Sequence, residues 1–162
     1  VNPLRLARMI RTTGRIAQAA PPAPEPTVPG ARDLRGSVQV RHVDAGSCNG
    51  CEVEVGAAFG PVYDAERYGA RLVASPRHAD VVLVTGVVTH NMREPLRRTV
   101  DATPRPHLVL AVGDCARTCG AFAGGYGVAG AVADVVPVDL EVPGCPPEPD
   151  LIVEALRRVT GR

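Results

Sequence analysis

Five cysteines are the residues best suited to chemistry in this sequence. Cys48 and Cys51 form a C-x-x-C with Asn49 and Gly50 between them. Gly50 allows the tight turn that lets both sulfurs face one centre. Cys115 stands in Val-Gly-Asp-Cys, and Cys145 in Val-Pro-Gly-Cys-Pro-Pro. Gly144 permits close backbone approach, while Pro146 and Pro147 stiffen that loop and start the next helix. Four thiolates on loops suit a 4Fe–4S cluster, which takes four Cys ligands. Three other readings stand beside it. Four Cys also make a structural zinc site, although Cys115 and Cys145 do not form a second C-x-x-C. A C-x-x-C near a βαβ pattern is a dithiol redox motif, which leaves Cys115 and Cys145 without a use. The third reading is inert, buried cysteines, and the flanking Gly and Pro speak against that for all of them together.

The loops need a frame to hold them. Residues 38–44 alternate and are β-branched, which predicts a strand. Residues 80–85 and 107–112 are apolar runs ending at Gly86 and Gly113. Such runs belong to strands covered on both faces, as in a parallel sheet. Short strands are expected at 71–74 and at 135–139, the latter limited by Pro137. Helices are expected at 52–59, 63–68, 89–102 and 147–159. Leu96 and Val100 face inward from the third, and Leu151, Ile152, Ala155, Leu156 and Val159 from the last. Strands alternating with helices make a small open α/β sheet. Functional loops of such sheets gather at the carboxyl ends of the strands. All three cysteine-bearing loops follow predicted strands, so they should converge there.

Composition limits the rest. The chain has 162 residues, the length of one ordinary domain. Its 18 basic and 17 acidic side chains give a net charge of +1, which argues against a nucleic-acid binder that works by bulk charge. Aromatics are 3%, so the core must be Val, Leu, Ile and Ala. An odd cysteine count without a secretory leader does not read as a disulfide scaffold, and it points to the cytoplasm. Residues 1–18 read as a basic amphipathic helix. Arg5, Arg8, Arg11 and Arg15 lie along one side, and Leu6, Met9, Ile10 and Ala17 on another. Such a helix lies on a membrane surface, docks on a membrane subunit, or is a solvated end. Residues 19–34 hold a proline-rich linker or strap. The folded α/β domain is expected over 35–162.

The segments Gly-Ser-Cys-Asn-Gly-Cys-Glu (46–52), Tyr-Asp-Ala-Glu-Arg-Tyr-Gly (63–69) and Ser-Pro-Arg-His-Ala-Asp-Val-Val-Leu-Val-Thr-Gly (75–86) carry a family resemblance. So do Gly-Asp-Cys-Ala (113–116) and Pro-Val-Asp-Leu-Glu-Val-Pro-Gly-Cys-Pro-Pro (137–147). Together they resemble the iron–sulfur small subunit of membrane-bound nickel–iron hydrogenases, formate hydrogenlyase and the 20-kDa subunit of NADH–quinone oxidoreductase. The respiratory branch has two adjacent cysteines where this chain has C-x-x-C, so the chain looks closer to the hydrogenase-like branch. The resemblance implies a flavodoxin-like domain with one 4Fe–4S cluster on Cys48, Cys51, Cys115 and Cys145. It implies electron relay, not catalysis, by this chain. It also implies a catalytic large subunit, a membrane subunit met by the N-terminal helix, and a ferredoxin-like iron–sulfur subunit. The expected location is the cytoplasmic side of the cell membrane.

Cys119 departs from the family, which usually has Gly there; it reads as a neighbour of the cluster and not a ligand. Glu52 and Glu54 are candidates for moving protons between cluster and partner. Each is also a first-turn acid that would stabilise a helix N-terminus. Arg67 and Arg77 are candidates for the partner or quinone face, or for surface ion pairs. His78 and His90 are lone histidines. The glycine run from Gly120 to Gly130 lacks the order of a dinucleotide fingerprint and reads as a loop close over the cluster.

Overall fold

Four strands of this chain end at one level, and that register decides where its chemistry can sit. The structure, a computed structural model, describes residues 2–13, 22, 24, 28, 30–34 and 36–162. Strand β1 is Val38–Asp44, β2 Ala70–Leu72, β3 Val81–Thr85, β5 Leu108–Val112 and β7 Leu140–Val142. They form one parallel sheet in the order β2-β1-β3-β5-β7. That is the flavodoxin-like order 2-1-3-4-5. Asp44 pairs with Thr85, Thr85 with Val112, and Val112 with Val142. The loops after β1, β3, β5 and β7 therefore leave the sheet side by side. A small antiparallel pair, β4 (Val88–Thr89) with β6 (Val128–Gly130), lies outside that sheet.

Helices cover both faces, as the continuous apolar strands require. Every residue of β3 and β5 is buried. On one face Val38, Val40, Leu83 and Leu110 pack with Val55 of α2 (Gly50–Ala58) and with Ile152, Leu156 and Val159 of α5 (Pro149–Thr160). On the other, Val43, Val82, Val84 and Val109 pack with Leu96 and Val100 of α3 (His90–Ala102) and Ala116 of α4 (Asp114–Thr118). A fully buried Leu such as Leu83 or Leu156 contributes about 2 kcal/mol. Thr89 caps α3 by accepting the Met92 N–H at 3.3 Å.

Several expectations shift. The last strand is 140–142, and 135–139 is not a strand. Pro137 has no N–H to give a ladder. Asp139 instead enters the sheet by its carboxylate, which accepts the Val109 N–H at 2.8 Å. Leu151 is 42% exposed, and Val153 takes its place in the α5 core face. The helix expected at 63–68 is a short 3₁₀ turn, Ala65–Tyr68. The N-terminal helix α1 is Pro3–Thr13; Arg15 and Ala17 lie outside the described residues. Leu4, Leu6, Met9 and Ile10 are exposed on it, as are Arg5, Arg8 and Arg11. Half of the strap, 19–34, also lies outside the described residues. Its end does not: Val28, Ala31 and Leu34 are buried against the α5 face, so packing begins before residue 35. No helix among the described residues is long and apolar enough to cross a membrane.

Candidate metal centre

The shared strand level brings the cysteine loops together. Ser47, Cys48, Gly50, Cys51, Gly86, Asp114, Cys115, Gly144, Cys145 and Pro146 surround one cavity of about 120 Å³. All four expected ligands therefore face one space. Cys51 and Cys115 are buried, while Cys48 and Cys145 are exposed, so the site opens at the surface of the chain. All are free thiols. Burial pushes the Cys51 thiol up to about 12; Glu52 and the sulfurs of Cys115, Cys48 and Cys145 add to the rise. Burial raises Cys115 as well, helped by Cys145, Cys48 and a hydrogen bond with Cys145.

The room among the sulfurs is kept by glycine. Gly113 has φ of 91°, and a Cβ there would meet the Cys51 sulfur at 2.6 Å. No other residue fits both the backbone and the space.

Each ligand loop is tied by short polar side chains. The Asp44 carboxylate accepts the N–H groups of Gly46 at 2.9 Å and Ser47 at 2.8 Å. Ser47 Oγ accepts the Asn49 N–H at 2.9 Å and donates its proton to Glu52. Thr85, fully buried at the end of β3, also donates to Glu52. His42 Nε2 lies 2.9 Å from Thr85 Oγ1. Since the Thr85 proton goes to Glu52, His42 is the donor there, which fixes its proton on Nε2. Burial lowers the His42 pKa below 6.5 against the opposing pull of Glu52 and Asp44.

The remaining expected residues are scattered. Glu54 is half-buried on α2. Arg67 is exposed before β2, over the Tyr68 ring at 5.4 Å, on the amino side of the sheet. Arg77 is exposed in a 3₁₀ turn before β3. Neither arginine lines the cavity, nor does Cys119. The Cys119 thiol is raised by burial and then by Asp134, with no contribution from the other four sulfurs. Within the glycine run, a Cβ on Gly120 would lie 3.2 Å from the Cys115 sulfur, but Gly124 and Gly127 face open space. The run therefore approaches the site at its first residue alone. Sequence reasoning missed Asp44, Ser47, Thr85 and Asp114. Their shared signal was a small polar residue at or just past a strand end.

The family described as "NADH ubiquinone oxidoreductase, 20 Kd subunit" matches residues 48–159. This chain belongs to that family. The match takes in all four cavity cysteines. Formate hydrogenlyase subunit 7 of Escherichia coli (strain K12) is 45% identical over 118 residues, 73% of this chain. The chain spans 46% of that relative's length. The probable membrane-bound hydrogenase subunit mbhJ of Pyrococcus furiosus is 45% identical over 117 residues, 72% of this chain and 70% of that one. Among solved structures, a chain of the membrane-bound sulfane sulfur reductase, an archaeal respiratory membrane complex, superposes with a TM-score of 0.69 at 28% identity. That match covers 80% of this chain and 71% of the other. The α/β fold expected from the sequence is shared with that chain.

Proposed function

We propose that this chain is the electron-transfer subunit of a membrane-associated oxidoreductase complex of the formate hydrogenlyase type, and that Cys48, Cys51, Cys115 and Cys145 hold one 4Fe–4S cluster. One observation carries the reading: four thiols from three loops surround a single cavity. Bound there, the cluster supplies one-electron transfer. The residues of the chain do the rest. The cysteines ligate as thiolates, so loading must displace protons that burial now holds tightly on Cys51. Gly113 keeps a side chain out of the space. Asp44, Ser47 and Glu52 hold the C-x-x-C loop in shape. The open side, at Cys48 and Cys145, is where a catalytic large subunit would cover the site.

The zinc reading fits less well. A single zinc needs sulfurs converging at about 2.3 Å on one point. The sulfurs ring a space instead. We also assign α1 to a membrane subunit of the complex, through its exposed Leu4, Leu6 and Ile10. A ferredoxin-like subunit is the expected electron partner on the other side.

Anaerobic purification of the full chain tests the cluster. Broad brown absorbance that bleaches with dithionite is expected, and each of the four Cys→Ala variants should lose it. A colourless protein carrying stoichiometric zinc would sink the reading. Co-purification from its native cells should bring a catalytic large subunit, and the Cys48→Ala chain should bring less of it.

A further inference from the structure

The loops of Cys115 and Cys145 are joined by more than the sheet. Gly113 N–H donates to Val142 O at 2.8 Å, and Asp114 N–H to Gly144 O at 2.8 Å. The ladder between β5 and β7 thus runs on past its last strand pair. Asp114 then returns the contact with its side chain. Its Oδ1 accepts the Gly144 N–H at 3.0 Å. The same oxygen takes Arg117 Nη1 at 3.3 Å, and Arg117 Nε donates to Glu141 at 2.8 Å. Asp114 precedes Cys115 and Gly144 precedes Cys145. One carboxylate therefore bonds the residue beside one ligand while belonging to the residue beside another. A backbone N–H to an ionised carboxylate is a charge-assisted hydrogen bond, stronger than its neutral counterpart.

The two acids of the site differ in their surroundings. Glu52 is held by the hydroxyls of Ser47 and Thr85, whereas Asp114 is paired with a guanidinium. Arg117 balances the Asp114 charge and ties it to β7 through Glu141. Such an arrangement fits a mechanical part better than a proton carrier.

We propose that Asp114 is a positioning residue that locks the Cys115 and Cys145 loops at a fixed separation, so that half of the ligand set stands assembled before the cluster arrives. This rests on the cluster reading above. A ligand pair held in place slows release of the bound group, because a loosened thiolate must otherwise find its position again.

The test uses the full chain, loaded anaerobically with iron and sulfide, with wild type, Asp114→Ala and Asp114→Asn compared. Two quantities are measured: iron release to a chelator, and amide exchange at Gly144 before loading. Asp114→Ala should release iron about tenfold faster, the weight of one charge-assisted hydrogen bond. It should also expose the Gly144 amide to faster exchange, with the melting temperature lowered by only a few degrees. Asp114→Asn keeps an acceptor for Gly144 while losing the charge, so it should release iron at an intermediate rate, about threefold faster than wild type. An Asp114→Ala chain that matches a loaded wild type in release or in Gly144 exchange overturns the proposal alone. So does an Asp114→Asn chain as fast as Asp114→Ala, since charge and not the tie would then be at work. A wild-type chain that takes up no iron and sulfide overturns the cluster reading and this proposal together.

Discussion

A Cβ placed on Gly113 would lie 2.6 Å from the sulfur of Cys51, inside any real carbon–sulfur contact. Gly113 follows β5, whereas Cys51 lies in the first turn of α2, after β1. Their approach measures how tightly the sheet edge is drawn together. Gly113→Ala meets two obstacles. Its φ of 91° is costly for a residue with a side chain, by about 1–2 kcal/mol. The methyl group must also displace the Cys51 sulfur. The variant should lose that stability in urea titration and take up less iron and sulfide than wild type. Full loading at wild-type stability would show that the close approach is unimportant.

Cys119 has a φ of 65°, the left-handed region that glycine adopts freely. It does not line the cavity of the other four cysteines, and its thiol is raised by burial first and by Asp134 second. Cys119→Gly should therefore keep the cluster. The relieved backbone is offset in part by the freer unfolded chain. The net change should lie between zero and a gain of about 1 kcal/mol. Iron analysis and urea unfolding check both halves. Loss of the cluster in this variant would make Cys119 a ligand and exchange it for one of the four.

Fully apolar runs ending in Gly predicted β3 and β5 closely, because burial on both faces leaves no alternation to misread. The meeting of the four cysteines at one cavity was legible because loops that follow parallel strands leave the sheet at the same edge. The last strand was misplaced to 135–139 since Val-Val-Pro-Val looks strand-like locally. Register with β5, which no local pattern encodes, moved it to Leu140–Val142. The ties at Thr85 and Asp114 were invisible for a related reason. Thr85 meets Glu52 across 33 residues and Asp114 meets Gly144 across 30. Such partners are fixed by topology, and single residues of those types are common in loops.

Thr85 offers a direct test of the network under the C-x-x-C. It is fully buried, donates to Glu52 and accepts from His42. Thr85→Val keeps the shape and removes both bonds. Glu52 is left with Ser47, and the His42 N–H loses its acceptor. Leaving buried partners unsatisfied costs about 1–3 kcal/mol. Thr85→Ser keeps the hydroxyl and should lose less. Equal urea midpoints for wild type and Thr85→Val would mean that these bonds carry no stability.

His42 makes the stability of the fold depend on pH. Burial is the main cause that lowers its pKa below the ordinary 6.5, with Arg41 acting in the same direction and Glu52 and Asp44 against it. The unfolded chain then binds a proton more readily than the folded one. The sign follows from linkage: stability rises with pH wherever the unfolded state holds more protons. The contribution of a neutral His42 is thus complete above 6.5. It is lost as pH falls from there through the lowered folded value. His42→Gln removes the titration and keeps an N–H for Thr85. Carboxylates elsewhere respond alike in both chains, so the difference between the two isolates His42. Urea unfolding of both at about pH 7.5 and about pH 5.5 should show wild type losing ground to His42→Gln on acidification. A difference that stays constant between the two conditions would mean that His42 titrates alike in the folded and unfolded chain.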